Sequence, residues 1–280
     1  MAINWFPGHM VKTKREIKEN LKLVDAVIEI RDARIPRASS NPEIEGLTQG
    51  KPRLILLNKS DLTDSKVTKE WIKMLTKDDV KAIEVNSLQG DGLKNIKPAV
   101  LSLLKEKHDR MKAKGLVNIT TRVMVVGIPN VGKSTFINKM AKNNIAKTGD
   151  RPGVTKSKQW IKTSIGLELL DTPGILWPKF EDEEVALNLA FTGAIKDEIM
   201  DTEELAFKLV ERLMKIAPEM LMTRYKLESL DEDPLENLNS IARKRGALIS
   251  GGEINYNRIA AILLDEFRSG KIGKISLERP

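Results

Sequence analysis

A chain of 280 residues, 41% hydrophobic and 31% charged, has room for one large domain or two ordinary ones and enough apolar material for a real core. It contains no cysteine, which excludes disulfides and thiolate metal sites. It has no membrane-length apolar run and no signal-like h-region, so a cytoplasmic protein without a membrane partner is expected. The net charge of +8 is uneven: residues 181–280 hold 14 Lys+Arg against 20 Asp+Glu, which leaves +14 for residues 1–180. Such a basic first part suits a polyanionic partner such as nucleic acid, or a solvated lysine-rich surface.

Trp5-Phe6-Pro7-Gly8-His9-Met10 opens the chain, and Val11 to Leu23 reads as a basic helix with Lys14, Lys18 and Lys22 at i, i+4, i+8. A strand over Val24 to Ile30 runs into the charged turn Arg31-Asp32-Ala33-Arg34-Ile35-Pro36. Pro42 to Leu47 is a short helix, and the strand Arg53 to Leu57 ends at Asn58-Lys59-Ser60-Asp61. A helix over Val67 to Leu75, a strand over Ala82 to Val85 and a loop over Asn86 to Gly92 follow. Leu93 to Lys114 reads as one long helix. The strand Arg122 to Val126 then turns through glycines into a helix over Ser134 to Met140, and a polar loop spans Asn143 to Lys158. Two strands, Gln159 to Ser164 and Leu167 to Leu170, meet at Ile165-Gly166, and the second ends at Asp171-Thr172-Pro173-Gly174. The alternation predicts an α/β fold with a mostly parallel sheet. From Glu183 onward the periodicity is helical only, over 183–195, 202–216, 234–244 and 256–269, so a smaller all-α domain over 181–280 is expected after a first domain over 1–180.

Gly127 to Thr135 matches G-x-x-x-x-G-K-[ST] at every constrained position, between a strand and a helix start. Backbone N–H groups of Asn130, Val131, Gly132 and Thr135 would cradle phosphates there. Lys133 would reach the β- and γ-phosphates, and the Ser134 hydroxyl would hold Mg²⁺. Asp171 would hold Mg²⁺ through water, the Gly174 N–H would meet the γ-phosphate, and Thr155 is the candidate hydroxyl that joins Mg²⁺ when a triphosphate is bound. Asp61 offers a carboxylate that matches the N1–H and N2 amine of guanine, a requirement that adenine cannot meet. Asn58 would fasten that loop and touch the other edge of the base, the Lys59 stem would lie beneath the ring, and Asn86-Ser87-Leu88 would brace the base O6 through a backbone N–H.

The guanine-reading motif comes about seventy residues before the phosphate loop, the reverse of the order in ordinary small GTPases, and circular permutation of a parallel sheet accounts for it. With Trp5 to Met10, Asp32 to Pro36, Gly149 to Thr155 and Asp171 to Phe180, the chain resembles the circularly permuted GTPases of the ribosome-assembly type over essentially its whole length. The resemblance implies a P-loop GTPase domain with a helical C-terminus. It also implies GTP hydrolysis, and binding to the large ribosomal subunit precursor through rRNA late in its maturation. The alternatives are a GTP-dependent RNA-binding scaffold with incidental hydrolysis, or a GTPase partner of an RNA-modifying enzyme; no second catalytic constellation accompanies the motifs. A monomer is expected.

Many GTPases carry a water-orienting glutamine just after Asp-x-x-Gly; here the position is Ile175, so turnover alone should be slow. His9 is the catalytic candidate, an assignment the resemblance supports, with capping or stacking as its other role. Asn130 resembles the residue with which some GTPases bind K⁺ beside the phosphates, or it shapes the loop. Lys14, Arg15, Lys18 and Lys22, with Lys12, and separately Arg243-Lys244-Arg245, are the candidate RNA-contacting patches.

Overall fold

The computed structural model describes residues 15–48, 50–116, 119–141, 160–172, 182–195 and 201–280. Two units divide the chain: Met1–Glu181 with Glu278–Pro280, and Asp182–Leu277. His9, Lys14, Thr155, Gly174 and Ile175 lie outside the described residues.

The first unit is built on a six-stranded sheet in the order β3-β2-β1-β4-β6-β5. Its strands are β1 (Ala26–Asp32), β2 (Arg53–Asn58), β3 (Val80–Glu84), β4 (Thr121–Val126), β5 (Trp160–Lys162) and β6 (Leu167–Asp171). All neighbours are parallel except the hairpin β5–β6. Strands buried on both faces need no polar alternation, which is why Ala26 to Ile30 and Val123 to Val126 read as near-continuous apolar runs. One face carries Val27, Ile55, Leu57, Met124, Val126 and Leu170. Against it pack Ile17 and Leu21 of α1 (residues 15–21), Ile44 of α2 (Pro42–Leu47), and Val67 and Trp71 of α3 (Ser65–Leu75). The alternate residues Ile28, Ile30, Leu54, Leu56, Val123 and Val125 are equally buried on the other face. α4 (Ile96–Leu103) packs on β2 and β3.

Glu29 and Arg31, with Asp32 at the strand's end, are the polar residues of β1. Arg31 donates to both Glu29 carboxylate oxygens at 2.7 and 3.1 Å, and Arg53 lies 3.3 Å from the same carboxylate. Buried charges persist only when paired, and this group is paired across two strands.

The helix expected over Leu93 to Lys114 is instead a short 3₁₀ turn, α4, and then α5 (Lys105–Ala113), broken at Leu104. The reason is burial: Ile96, Val100 and Leu104 seat α4, whereas α5 buries no residue and can leave the sheet. α6 (Lys133–Met140) follows the phosphate loop and buries Phe136, Ile137 and Met140.

The second unit contains α7 (Glu183–Phe191), α8 (Thr202–Ile216), α9 (Pro218–Tyr225), α10 (Pro234–Lys244) and α11 (Tyr256–Arg268). Asp182, Asp201, Asp233 and Asn255 accept backbone N–H bonds at the starts of α7, α8, α10 and α11, a substitution-sensitive cap of about 1 kcal/mol each. Leu205, Leu209 and Leu213 of α8 are buried at helical spacing, and α8 packs against α10 and α11. Sequence reading missed α9. It starts at Pro218 without a side-chain cap, and Pro at the first helical position was the available signal. Glu278–Pro280, expected with the helical part, group with the sheet unit. There the Glu278 carboxylate accepts the N–H groups of Arg37 and Ala38 at 2.7 and 3.0 Å, and its carbonyl accepts the Trp71 indole N–H at 3.3 Å.

Candidate nucleotide-binding site

The candidate residues gather where the parallel strands end. Asp32 of β1 pairs in register with Asn58 of β2, Val126 of β4 leads into the phosphate loop, and Asp171 of β6 pairs with Val125. In an open α/β sheet this carboxyl edge is where ligands bind. The phosphate loop is shaped by backbone that only special residues tolerate. Gly127 has φ 153°, and a Cβ there would meet the Ile30 carbonyl oxygen at 2.6 Å. Gly132 has φ 95°, and a Cβ there would meet Asn58 Nδ2 at 2.4 Å. Asn130, without glycine's freedom, sits at φ 60°, which asparagine tolerates better than most residues.

The guanine-motif loop closes on the phosphate loop through two hydrogen bonds. Asn58 Nδ2 donates to the Val131 carbonyl at 2.7 Å, and Lys59 Nζ donates to the Asn130 carbonyl at 2.8 Å. Asn58 Oδ1 in turn accepts the Ser87 N–H at 3.0 Å, so one buried side chain joins three loops. This departs from the expectation for Ser87: its N–H is spent on Asn58 rather than left for a base. The buried Ser87 Oγ and Asn86 Nδ2 have no partner among the described residues. Asn86 Oδ1 accepts the N–H groups of Leu88 and Gln89 and so shapes its own loop. Asp61 lies in a 3₁₀ turn over Ser60–Leu62, exposed, with no hydrogen bond or ion pair among the described residues. Its carboxylate is free to accept two hydrogen bonds side by side.

At the phosphate end, Lys133 Nζ donates to the Gly127 and Ile128 carbonyls, both at 3.1 Å. Burial lowers its pKa to about 8, with Asp171 acting in the opposite direction. Burial also raises the Asp171 carboxyl, which Lys133 only partly offsets, and Asp171 has no ion-pair partner among the described residues. A desolvated carboxylate with no ion pair among the described residues, near a lysine hydrogen-bonded only to carbonyls, fits a site completed by a cation and an anion together. Thr172 Oγ1 donates to the Val125 carbonyl at 2.6 Å and fixes the end of β6 against β4.

The two basic patches differ in how their charges are spent. Lys18 on α1 and Lys22 just after it are exposed, Ile17 and Leu21 are buried, and Arg15 pairs with Glu19 at 3.2 Å. In the helical unit, Arg243 and Lys244 are exposed, but Arg245 is not a spare cation. It joins Arg224 on the Glu266 carboxylate, at 2.7 and 2.9 Å, and stacks on the Tyr225 ring.

A family model described as "50S ribosome-binding GTPase" matches residues 122–242. It begins at β4, so Asn58-Lys59-Ser60-Asp61 lies upstream of it, as permutation of the motif order requires. Ribosome biogenesis GTPase A of Bacillus licheniformis is 53% identical over 280 residues, covering 100% of this chain and 99% of that protein. The chain belongs to the ribosome biogenesis GTPase A family. The Thermotoga maritima family member is 34% identical over 278 residues, covering 99% and 95% of the two chains. The solved structure of GNP-bound YlqF from T. maritima is 32% identical with a TM-score of 0.65, over 96% of this chain and 98% of that one. Membership in the ribosome biogenesis GTPase A family makes this a GTP-hydrolysing protein with a P-loop GTPase domain.

Proposed function

We propose that this GTPase docks on the large ribosomal subunit precursor through rRNA, late in maturation, with GTP favouring docking and hydrolysis timing release. The observation that carries the nucleotide part is the clasp of Asn58 and Lys59 on Val131 and Asn130, which supports reading the two motif loops as parts of one site. The names of the relatives and the basic residues 1–180 support the ribosomal part. YlqF has been solved in GDP-bound and GNP-bound forms, in line with the same cycle here.

Within this reading, the Asp61 carboxylate accepts guanine N1–H and N2–H, Asn58 holds the loop, and the Lys59 stem lies beneath the ring. The orphaned Ser87 hydroxyl, with Asn86 beside it, gains a polar partner when the base is in place. Backbone N–H groups from Asn130 to Thr135 and the Lys133 ammonium hold the phosphates, a gathering of donors at a helix start. Ser134 and Asp171 would hold Mg²⁺, joined by Thr155 in the triphosphate state, and the metal, when bound, neutralises charge on the β- and γ-phosphates. Lys133 steadies the phosphoryl group as charge shifts onto the leaving oxygens. The Gly174 N–H meets the γ-phosphate, and His9 positions the attacking water that Ile175 cannot hold. Asn130 adds K⁺ beside the phosphates; faster turnover in K⁺ than in Na⁺ is expected, and equal rates would remove that ion. The protein works in the cytoplasm as a monomer; no helix among the described residues is long and apolar enough to cross a membrane.

The deciding experiment is GTP hydrolysis alone, with mature large subunits and with immature ones. Slow turnover raised by particles is expected, and a His9→Ala variant should bind GTP yet lose the stimulation. Absence of stimulation by any particle would overturn the ribosomal reading. Ile175 specifically favours a second reading, a GTP-dependent scaffold whose hydrolysis is incidental; a hydrolysis-dead variant that still supports subunit assembly would select it.

A further inference from the structure

The charged turn that begins at Asp32, the last residue of β1, is not used by the site as described, yet it is held from several sides. Asp32 and Arg34 are both buried, and the carboxylate accepts from Arg34 Nε at 3.0 Å, from Arg34 Nη2 at 2.7 Å and from the Arg34 backbone N–H at 3.0 Å. Asp32 Oδ2 also lies 3.0 Å from Lys59 Nζ. The turn itself is fixed from several sides. Arg31 donates to the Pro36 carbonyl at 3.2 Å, Ser39 Oγ donates to the Ile35 carbonyl at 2.6 Å, and Glu278 accepts the Arg37 and Ala38 N–H groups. Asp32 is therefore fixed by contacts that do not involve Lys59.

Lys59 needs such a hold. Its backbone is left-handed, φ 61°, a conformation that a long side chain adopts only when its surroundings over-determine it. Its ammonium spans two loops, with Asp32 on one side and the Asn130 carbonyl of the phosphate loop on the other. Burial lowers the Lys59 pKa and Asp32 opposes that loss. Burial would raise the Asp32 carboxyl, but Arg34 and Lys59 together hold it well below the usual carboxylate range. The carboxylate is thus charged throughout the working pH range, and Arg34 keeps it charged and aimed when the lysine moves.

We propose that Asp32, fixed by Arg34, is the positioning residue for guanine recognition, setting the Lys59 side chain across the base site and locking the base-reading loop to the phosphate loop. The inference deepens the reading of Asn58 to Asp61 as the guanine loop and rests on it. It also gives Asp32-Ala33-Arg34 a role in the site although neither charged side chain need touch the nucleotide.

The test is a double-mutant cycle read by calorimetric GDP affinity in the full chain, with Asp32→Asn, Lys59→Met and the two combined, beside ATP affinity of the unaltered protein. Each single change is expected to weaken GDP about tenfold, and the combination to bind no more weakly than the worse single variant, because both remove the same hold. A purely structural Asp32 would lower the thermal midpoint and multiply with Lys59→Met to a loss of about 100-fold; that additivity, or GDP binding by Asp32→Asn equal to the unaltered protein, would overturn the proposal. Should Asp32→Asn fail to fold because Arg34 is left buried and unpaired, Asp32→Asn with Arg34→Leu removes both charges and enters the same cycle. ATP binding as tight as GDP to the unaltered protein would overturn the guanine reading and this inference with it. A retained GDP preference with an additive cycle would overturn this inference alone.

Discussion

Two lysines stand at the two ends of the nucleotide site, and they are held differently. Lys59 faces a full carboxylate at 3.0 Å, itself pinned by Arg34, whereas Lys133 faces only two carbonyls at 3.1 Å and feels Asp171 without an ion pair. Burial lowers the pKa of both, but only Lys59 has its counter-charge built into the fold. The Lys59 end therefore carries its counter-charge within the fold, while the Lys133 end does not. Under the proposed reading, such a division would let guanine be checked by a fixed frame and leave the phosphates to balance the charge at Lys133.

The sharpest way to break this comparison is at Asp61. Asp61→Asn exchanges an acceptor for a donor opposite the N2 position, and xanthine carries an oxygen there. The preference for GDP over xanthosine diphosphate should fall by on the order of 10³-fold or more in competition binding. Next in size, Lys133→Ala removes the ammonium that meets the phosphates and should weaken GTP by about 100-fold, while GDP and GTP affinities converge. A Lys133→Ala variant that binds GTP as tightly as the unaltered protein would show that the phosphate end does not depend on this charge.

The third prediction uses pH. Lys133 titrates at about 8 in the free protein, and a bound phosphate group holds the proton on. Affinity should thus be nearly flat well below pH 8, fall about fivefold from pH 8 to pH 9 and approach a tenfold fall per pH unit above that, the signature of one proton taken up on binding. The sign for folding is opposite. An unfolded lysine keeps its proton to a higher pH, so stability of the free protein should rise with pH between about 8 and the ordinary lysine value. The smallest effect is expected at Glu278. Glu278→Ala strips the Arg37 and Ala38 N–H groups of their acceptor, and a loss of about 1–2 kcal/mol in urea unfolding should accompany faster hydrogen exchange at those two amides. Unchanged exchange there would show that the turn is held without the chain's end.

The phosphate loop, the base-reading motif and the helical character of residues 202–216 and 234–244 were legible without coordinates because their physics is local. A glycine turn between strand and helix, or an Asp at a helix start followed by leucines at helical spacing, is complete within a dozen residues. Family resemblance extended that reading to GTPase chemistry, and the relatives bear it out. Other features were not written in any local stretch. The break at Leu104 depends on what α4 can bury. The diversion of the Ser87 N–H to Asn58, and of Arg245 to Glu266, depends on partners 29 and 21 residues away. The Glu278 contact joins residues 241 apart.

By itself the sequence determined which chemical groups the protein owns and in what order they come: a G-x-x-x-x-G-K-[ST] loop, an Asn-Lys-x-Asp motif upstream of it, a basic first part and an acidic helical end. Tertiary structure alone decided which charges are spent on one another and which remain for a ligand. Asp32, Arg34 and Arg245 look like available charges in one dimension, and each is neutralised in three. The reason is desolvation. A charge drawn into the interior needs its counterpart within hydrogen-bonding distance, and only the folded chain sets that distance.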